Sequence, residues 1–243
     1  MSGHSKWNNI KRKKEKTDAQ KAKIFTRIGR ELAMAVKAGG PDPRNNARLA
    51  ALIQKAKANN VPNENIERTI KKASASDGAN YEEIVYEGYG PGGIAVIVEA
   101  TTDNRNRTAG NVRSYFSKYH GNMGQTGCVS YLFEEKGVIV IVNEDGDIDE
   151  DKLMEQALES GAEDFVAQDG AFEIYTVSDD LYAVKEALEA AGYTLASAEK
   201  SKVPSNYVTL DNEEDLKFMN LLIEKLEEDD DVMEVYHNCD NCD

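Results

Sequence analysis

GVIVIVNEDGDIDEDKLMEQALESGAEDFVAQDGAFEIYTVSDDLYAVKEALEAAGYTLASAEKSK, residues 137–202, carries one complete α/β unit in its periodicity. Val138-Ile139-Val140-Ile141-Val142 is apolar at every position, the pattern of a buried strand rather than of a half-solvated one. Leu153, Ala157 and Leu158 then recur at helical spacing, and Gly161 closes that helix. Phe165-Val166 and Phe172–Ile174 flank Asp169-Gly170, which matches a hairpin with a tight primed turn. Leu181, Val184, Leu188 and Ala191 line a second helix closed by Gly192, and Thr194 to Ala198 supplies a last strand. The order is βαββαβ, the split unit of ferredoxin-like domains.

The flanks do not close on themselves. Upstream, Tyr81 to Tyr89 and Ile94 to Thr101 read as strands joined across Gly90-Pro91-Gly92-Gly93. A helix with an inner stripe of Val112, Tyr115, Phe116 and Tyr119 follows, then a strand from Val129 to Phe133. Downstream, the pattern gives a strand at Tyr207 to Leu210, a helix capped by Asp211 with Glu214, and a strand from Val232 to Tyr236. Each flank lacks a partner layer, so the two are assigned to one discontinuous α/β domain, 79–136 plus 203–243, with 137–202 inserted in it.

Residues 1–78 are helical and basic. Ile24, Phe25, Ile28, Leu32 and Val36 mark one helix from Thr17, with Gln20 completing a capping box and Gly39-Gly40-Pro41 ending it. Leu49, Leu52, Ile53 and Ala56 mark a second from Asn46, and Ile66, Ile70 and Ala73 a third after Pro62. The fold class is therefore α+β: an N-terminal three-helix domain, then two ferredoxin-like-type α/β domains, one inside the other.

Charge is divided along the same lines. Residues 1–72 hold 18 lysines and arginines against 6 acidic residues, whereas the rest hold 11 against 38, giving −15 for the chain. A polybasic end on an acidic body marks a contact surface for a polyanion. Each cation that meets a phosphate releases condensed counterions, so a cluster of about 6–10 contacts binds strongly and with steep salt dependence. The candidates are Lys6, Lys11, Arg12, Lys13, Lys14, Lys16, Lys21, Lys23, Arg27 and Arg30, with Trp7 placed to stack on an unpaired base. The competing reading is a solvated tail followed by an ordinary helix surface. Residues 1–16 are too polar to order themselves and contribute no core residue on this reading. A second candidate is Asn104, Arg105 and Arg107 at a helix start, where free amides and the macrodipole favour an anion. There the alternative is a cap made by Asp103, Asn106 or Thr108 with two solvated arginines, and the loop His120–Gln125 is set near it.

Several function classes are set aside. Gly88–Gly93 matches the dinucleotide fingerprint as a string, but a strand follows it instead of a helix. His237, Cys239 and Cys242 offer three ligands where a structural zinc site takes four, so a flexible tail, no metal and no cofactor are expected. Glu227–Asp231 reads as a solvated helix end and turn. Three histidines with no nucleophile at a recognisable spacing argue against an enzyme. No apolar run spans a bilayer, no secretory signal core is visible, and three cysteines suit a reducing cytosol rather than a disulfide scaffold.

Gly3-His4-Ser5-Lys6-Trp7, Asp18-Ala19 with Lys23-Ile24-Phe25, Tyr86–Gly93, and Thr102–Thr108 together resemble the YebC family over nearly the whole chain. Ala22 and Cys128 depart from it, where glycine and serine are common; neither change removes a charge. The resemblance implies a three-domain α+β fold, no catalysis, and nucleic-acid or ribosome binding. It favours ribosomal RNA or tRNA on the ribosome as partner, in the cytoplasm, easing elongation at sequences that are hard to translate; duplex DNA and transcription are the alternative. Neither a membrane nor an oligomer is required. The helix-turn-helix fit of 46–73 is poor because Pro62 breaks the connection.

Overall fold

The structure, a computed structural model of the 243-residue chain, describes Trp7, residues 18–75 and residues 80–242, with the backbone alone for 18–21. Among the described residues from Asp18 on, three helices come first: α1 (Asp18–Gly39), α2 (Ala47–Ala58) and α3 (Asn63–Ser74). Then follow β1 (Glu82–Tyr89), β2 (Ala95–Thr102), α4 (Arg105–Lys118) and β3 (Asn122–Met123). Next come β4 (Phe133–Val142), α5 (Glu150–Glu159), β5 (Asp164–Gln168), β6 (Ala171–Val177), α6 (Leu181–Ala190) and β7 (Ser197–Pro204). The chain finishes with α7 (Glu213–Glu228) and β8 (Val232–His237). The α+β class is thus seen directly: three helices, then two four-stranded antiparallel sheets.

Contacts divide the chain into two compact units, one of residues 16–128 and 217–235, the other of 1–15, 129–216 and 236–243. In the first unit, Ile28, Leu32, Val36, Leu49, Ala56 and Ile66 form the core of the helical bundle. Asn46 fixes the corner between α1 and α2. Its Oδ1 accepts from Leu49 N–H at 3.0 Å, while its Nδ2 donates to the Ala35 and Gly40 carbonyls at 2.8 and 2.9 Å. All the polar capacity of this buried amide facing the corner is used, which holds the N-terminus of one helix on the C-terminus of the other. The sheet of this unit has the order β3-β1-β2-β8 and opens on the β1–β2 hairpin, with Tyr89 opposite Ala95. Its glycine-rich connection serves packing: a Cβ on Gly90 would lie 2.5 Å from the Met219 sulfur of α7.

The second unit has the order β5-β6-β4-β7, with every pair antiparallel, as the βαββαβ pattern requires. Ile139, Ile141, Phe172 and Ile174 face α5 and α6 and bury Leu153, Leu181 and Leu188 against them. The opposite face of β4 carries Val138 and Val140, and Trp7 lies over it, 2 % exposed. The Trp7 amide donates to Glu173 Oε1 at 2.6 Å and its indole N–H to the Asp169 carbonyl at 2.9 Å. Glu173, itself fully buried, also accepts from the Tyr175 hydroxyl at 2.6 Å. Trp7 is therefore a core residue, and the expectation that the first sixteen residues supply none is corrected.

Other differences from the sequence reading have local causes. Residues 130–132 make a 3-10 turn instead of a strand, and β4 begins only at Phe133; Val129 is apolar because it is a buried plug. Tyr207 to Leu210 contributes a single parallel bridge, Val208 to Cys239, because the Leu210 N–H and C=O both go to the Asn241 side chain. Asn212, not Asp211, caps α7, its Oδ1 accepting from Glu214 N–H at 2.8 Å. The strand expected at Thr194 to Ala198 is β7, which runs from Ser197 to Pro204; its lysines blunt a sheet edge and mask the pattern. At the Asp169-Gly170 turn only Gly170 has positive φ (+81°), so the turn is not of the type I′ geometry.

Replacing Trp7 with alanine removes the largest side chain from the β4–β6 face and leaves the Glu173 network open to water. The expected cost is about 3–5 kcal/mol of stability in this unit. Urea unfolding, read beside amide exchange of β4 and β6, measures it; wild-type protection in those strands would show that the indole is dispensable.

Candidate nucleic-acid interface

One member of each candidate surface, Arg30 and Arg107, reaches the same carboxylate. Asp231, 3 % exposed, sits in the turn between α7 and β8. Its Oδ1 accepts from Arg30 Nη1 at 2.7 Å. Its Oδ2 accepts from Arg107 Nη2 at 2.8 Å, from the Thr108 hydroxyl at 2.6 Å and from the Thr102 hydroxyl at 3.2 Å. The Asp231 carbonyl meanwhile accepts from Thr101 N–H at 2.8 Å, which ties the turn to the end of β2. Burial acts to raise the Asp231 carboxyl, and the hydrogen bonds from Thr108, Arg107 and Arg30 overcome it, holding the pKa down to about 2.

The neighbouring turn continues the pattern. Arg27 Nη2 donates to the Glu227 carbonyl at 2.6 Å, Lys23 donates to the Glu228 carbonyl, and Arg30 donates to the Asp230 carbonyl at 2.7 Å. These are the last carbonyls of α7 and the turn after it, which have no helical partner and sit at the negative end of the macrodipole. Asp229 accepts from Asn111 and from the Tyr115 hydroxyl, both at 3.1 Å. Burial first, and then the Asp229 charge, push the Tyr115 hydroxyl up to about 12. The acidic run 227–231 is therefore a partly buried clamp, and its reading as a solvated turn is corrected.

This placement sorts the sequence candidates. Lys6, Lys11, Arg12, Lys13, Lys14 and Lys16 lie outside the described residues, and Lys21 is described only as part of the α1 backbone. Lys23, Arg27 and Arg30 are half-buried and committed to the α7 turn, so a phosphate would have to displace protein acceptors to reach them. Trp7 is buried and presents no ring face for stacking. Asn104 is the N-cap of α4, its Oδ1 accepting from Arg107 N–H at 3.1 Å. Arg107 is half-exposed but bonded to Asp231 and to Asp103, so it is not a solvated arginine. Arg105 remains open, with 68 % of its side chain exposed and Glu82 at 3.9 Å as its one ion-pair partner among the described residues. The His120 loop is not beside it. It follows the C-terminus of α4, a helix about 20 Å long, and its ring lies against Phe218 at 4.0 Å.

The bundle itself supplies cations that the sequence reading passed over. Lys57 on α2 and Lys71 and Lys72 on α3 are exposed and make no ion pair among the described residues; Arg68 on α3 is exposed beside Asn65. Between α1 and α3 runs a groove of about 360 Å³ floored by Phe25, Ile28, Leu32 and Tyr81, with Arg68 and Lys72 on its rim. The signal was present in the polar face of α3, which alternates basic groups with its buried Ile66 and Ala73.

Replacing Asp231 with asparagine leaves Arg30 facing an uncharged partner in a buried setting, at an expected cost of about 3 kcal/mol. The acid limb gives a second measure. A carboxyl held near pH 2 from an ordinary 3.8 contributes about 2 kcal/mol, complete above 3.8 and lost as pH falls through about 2. Thermal melts of the wild type should steepen their decline in that window, and melts of the Asp231→Asn protein should lack this component.

Residues 81–239 match the family described as TACO1/YebC second and third domain, and residues 5–76 match the TACO1/YebC protein N-terminal domain. The chain is 60 % identical over 239 residues to a probable transcriptional regulatory protein of Acetivibrio thermocellus, covering 98 % of each. It is 59 % identical to a protein of the same description from Agathobacter rectalis, covering 98 % of this chain and 99 % of that one. Among solved structures, a conserved hypothetical protein of Aquifex aeolicus superposes with a TM-score of 0.82 at 46 % identity, over 92 % of each chain.

Proposed function

Because the chain belongs to the TACO1/YebC family, we propose that it is a non-enzymatic, nucleic-acid-binding regulator of gene expression, acting in the cytoplasm on ribosomal RNA or tRNA at the ribosome. It eases elongation at sequences that are hard to translate. The observation that carries this reading is the separation of charge: 18 basic against 6 acidic residues in the first 72, on a chain whose net charge is −15. A long duplex would repel the acidic lobes along its length, whereas structured RNA offers pockets into which a basic segment fits while the acidic surfaces stay outside. The exposed Lys57, Lys71 and Lys72, which make no ion pair among the described residues, extend the basic segment onto a folded surface. Relatives described as regulatory proteins support the absence of catalysis.

Duplex DNA is the second reading, favoured by the transcriptional description of those relatives. It would have to use phosphate contacts without base readout. The α2–α3 connection passes through Asn60 at φ +58° and Pro62, away from the geometry of a recognition-helix pair.

Ribosome co-sedimentation and a duplex-DNA shift, run at matched salt, separate the two. Replacing Lys11, Arg12, Lys13 and Lys14 with alanine is expected to lower the slope of log affinity against log salt by about 3–4 on whichever partner is used. Replacing Arg105 with alanine should leave the fold intact, since that side chain is solvated, and reduce ribosome association about tenfold. Duplex binding that responds to both changes while ribosomes stay unbound would transfer the function to transcription. An unchanged salt slope on both partners would sink the nucleic-acid reading itself.

A further inference from the structure

The C-terminal His-x-Cys-x-x-Cys segment is not a solvated tail. His237, Cys239 and Cys242 are 4 %, 0 % and 1 % exposed. The segment is held from both sides by residues 208–210. Val208 N–H donates to the Asn238 carbonyl at 2.7 Å, Asp240 N–H donates to the Val208 carbonyl at 2.9 Å, and Asn241 takes both backbone groups of Leu210. This pinning brings one imidazole nitrogen and two sulfurs within 4.8 Å of one another, in a buried place where the backbone is already fixed. The sulfurs of Cys239 and Cys242 are joined as a disulfide, with their Cα atoms 5.7 Å apart.

We propose that in the dithiol state His237, Cys239 and Cys242 bind one zinc-type divalent cation, and that the disulfide is the metal-free form of the same site. Zinc takes sulfur at about 2.3 Å and imidazole nitrogen at about 2.0 Å, so tetrahedral ligands lie roughly 3.5–3.8 Å apart. That separation falls inside the 4.8 Å envelope that these three atoms already occupy. Thiolate and imidazole donors select zinc over magnesium or calcium. Two thiolates neutralise a divalent charge, so the complex is neutral and its burial carries no uncompensated ion. Three protein ligands leave the fourth position to water or to an outside donor, as in zinc sites that keep an open vertex. The chemistry balances: a phosphine attacks one sulfur and gives two electrons to the S–S bond, one water supplies the oxygen of the phosphine oxide and the protons of the two thiols, and the metal then displaces both thiol protons to solvent.

The test uses the full chain, reduced with a phosphine under anaerobic conditions and titrated with Co2+ alone. One equivalent should bind, with a thiolate-to-cobalt charge-transfer band and the visible bands of a tetrahedral ion, and Zn2+ should displace it. Cys239→Ser, Cys242→Ser and His237→Gln should each weaken Co2+ binding by more than about a hundredfold. A second readout needs no variant: Zn2+ should protect Cys239 and Cys242 of the reduced wild type from alkylation, while the free thiol of Cys128 stays reactive. The proposal is overturned if cobalt binds without a charge-transfer band, if Zn2+ leaves alkylation of both cysteines unchanged, or if a Cys239→Ser/Cys242→Ser protein binds Co2+ as tightly as the wild type.

Discussion

A buried carboxylate that must stay ionised constrains the larger unit more than any apolar contact does. Asp231 is desolvated, so it survives as an anion only because two guanidinium groups and two hydroxyls converge on it. Those donors come from α1, from the end of β2 and from the first turn of α4. Helix, sheet and turn are thereby registered to a single point. The apolar layers beneath them tolerate sliding; a carboxylate with its lone pairs filled does not. The neighbouring carbonyls at the end of α7 extend the same logic, since Lys23 and Arg27 supply the donors that helical geometry cannot.

This internal use of cations changes how the charge separation works. The helical segment is basic in sequence, but part of that charge is neutralised by acceptors far along the chain. Among the described residues, Lys57, Lys71, Lys72 and Arg105 keep their charge exposed to solvent instead. Structural cations are held at fixed positions by directional bonds, whereas binding cations stay solvated until a partner arrives. Both populations look alike as letters in the sequence.

The fold was legible where periodicity was strong. The apolar run 138–142, the hairpin flanking Asp169-Gly170 and the three amphipathic helices of the N-terminus are all present, because each encodes its own burial face. Legibility failed where side chains replaced backbone. Leu210 loses strand pairing to the Asn241 amide, and Asn212 takes the cap that Asp211 was assigned. It failed again at Trp7, whose polar neighbours suggested exposure although its partners lie more than 160 residues away. The candidate site was the least legible. Nothing local distinguishes an arginine that will meet a phosphate from one that will meet Asp231, since the separation between Arg30 and that residue is 201 positions.

That separation has a consequence for the order in which the protein is built. Synthesis delivers α1 and α4 long before the turn that neutralises them, and β8, the strand that completes their sheet, is the last regular element to appear. The β5-β6-β4-β7 sheet, by contrast, has all four of its strands once residue 204 has been made. A sheet begun later therefore has its strands earlier, and the nascent chain carries α1 and α4 with their acceptors still unmade. The Asp231 cluster of the first unit cannot close until residue 231 has been made, long after the two arginines that it holds.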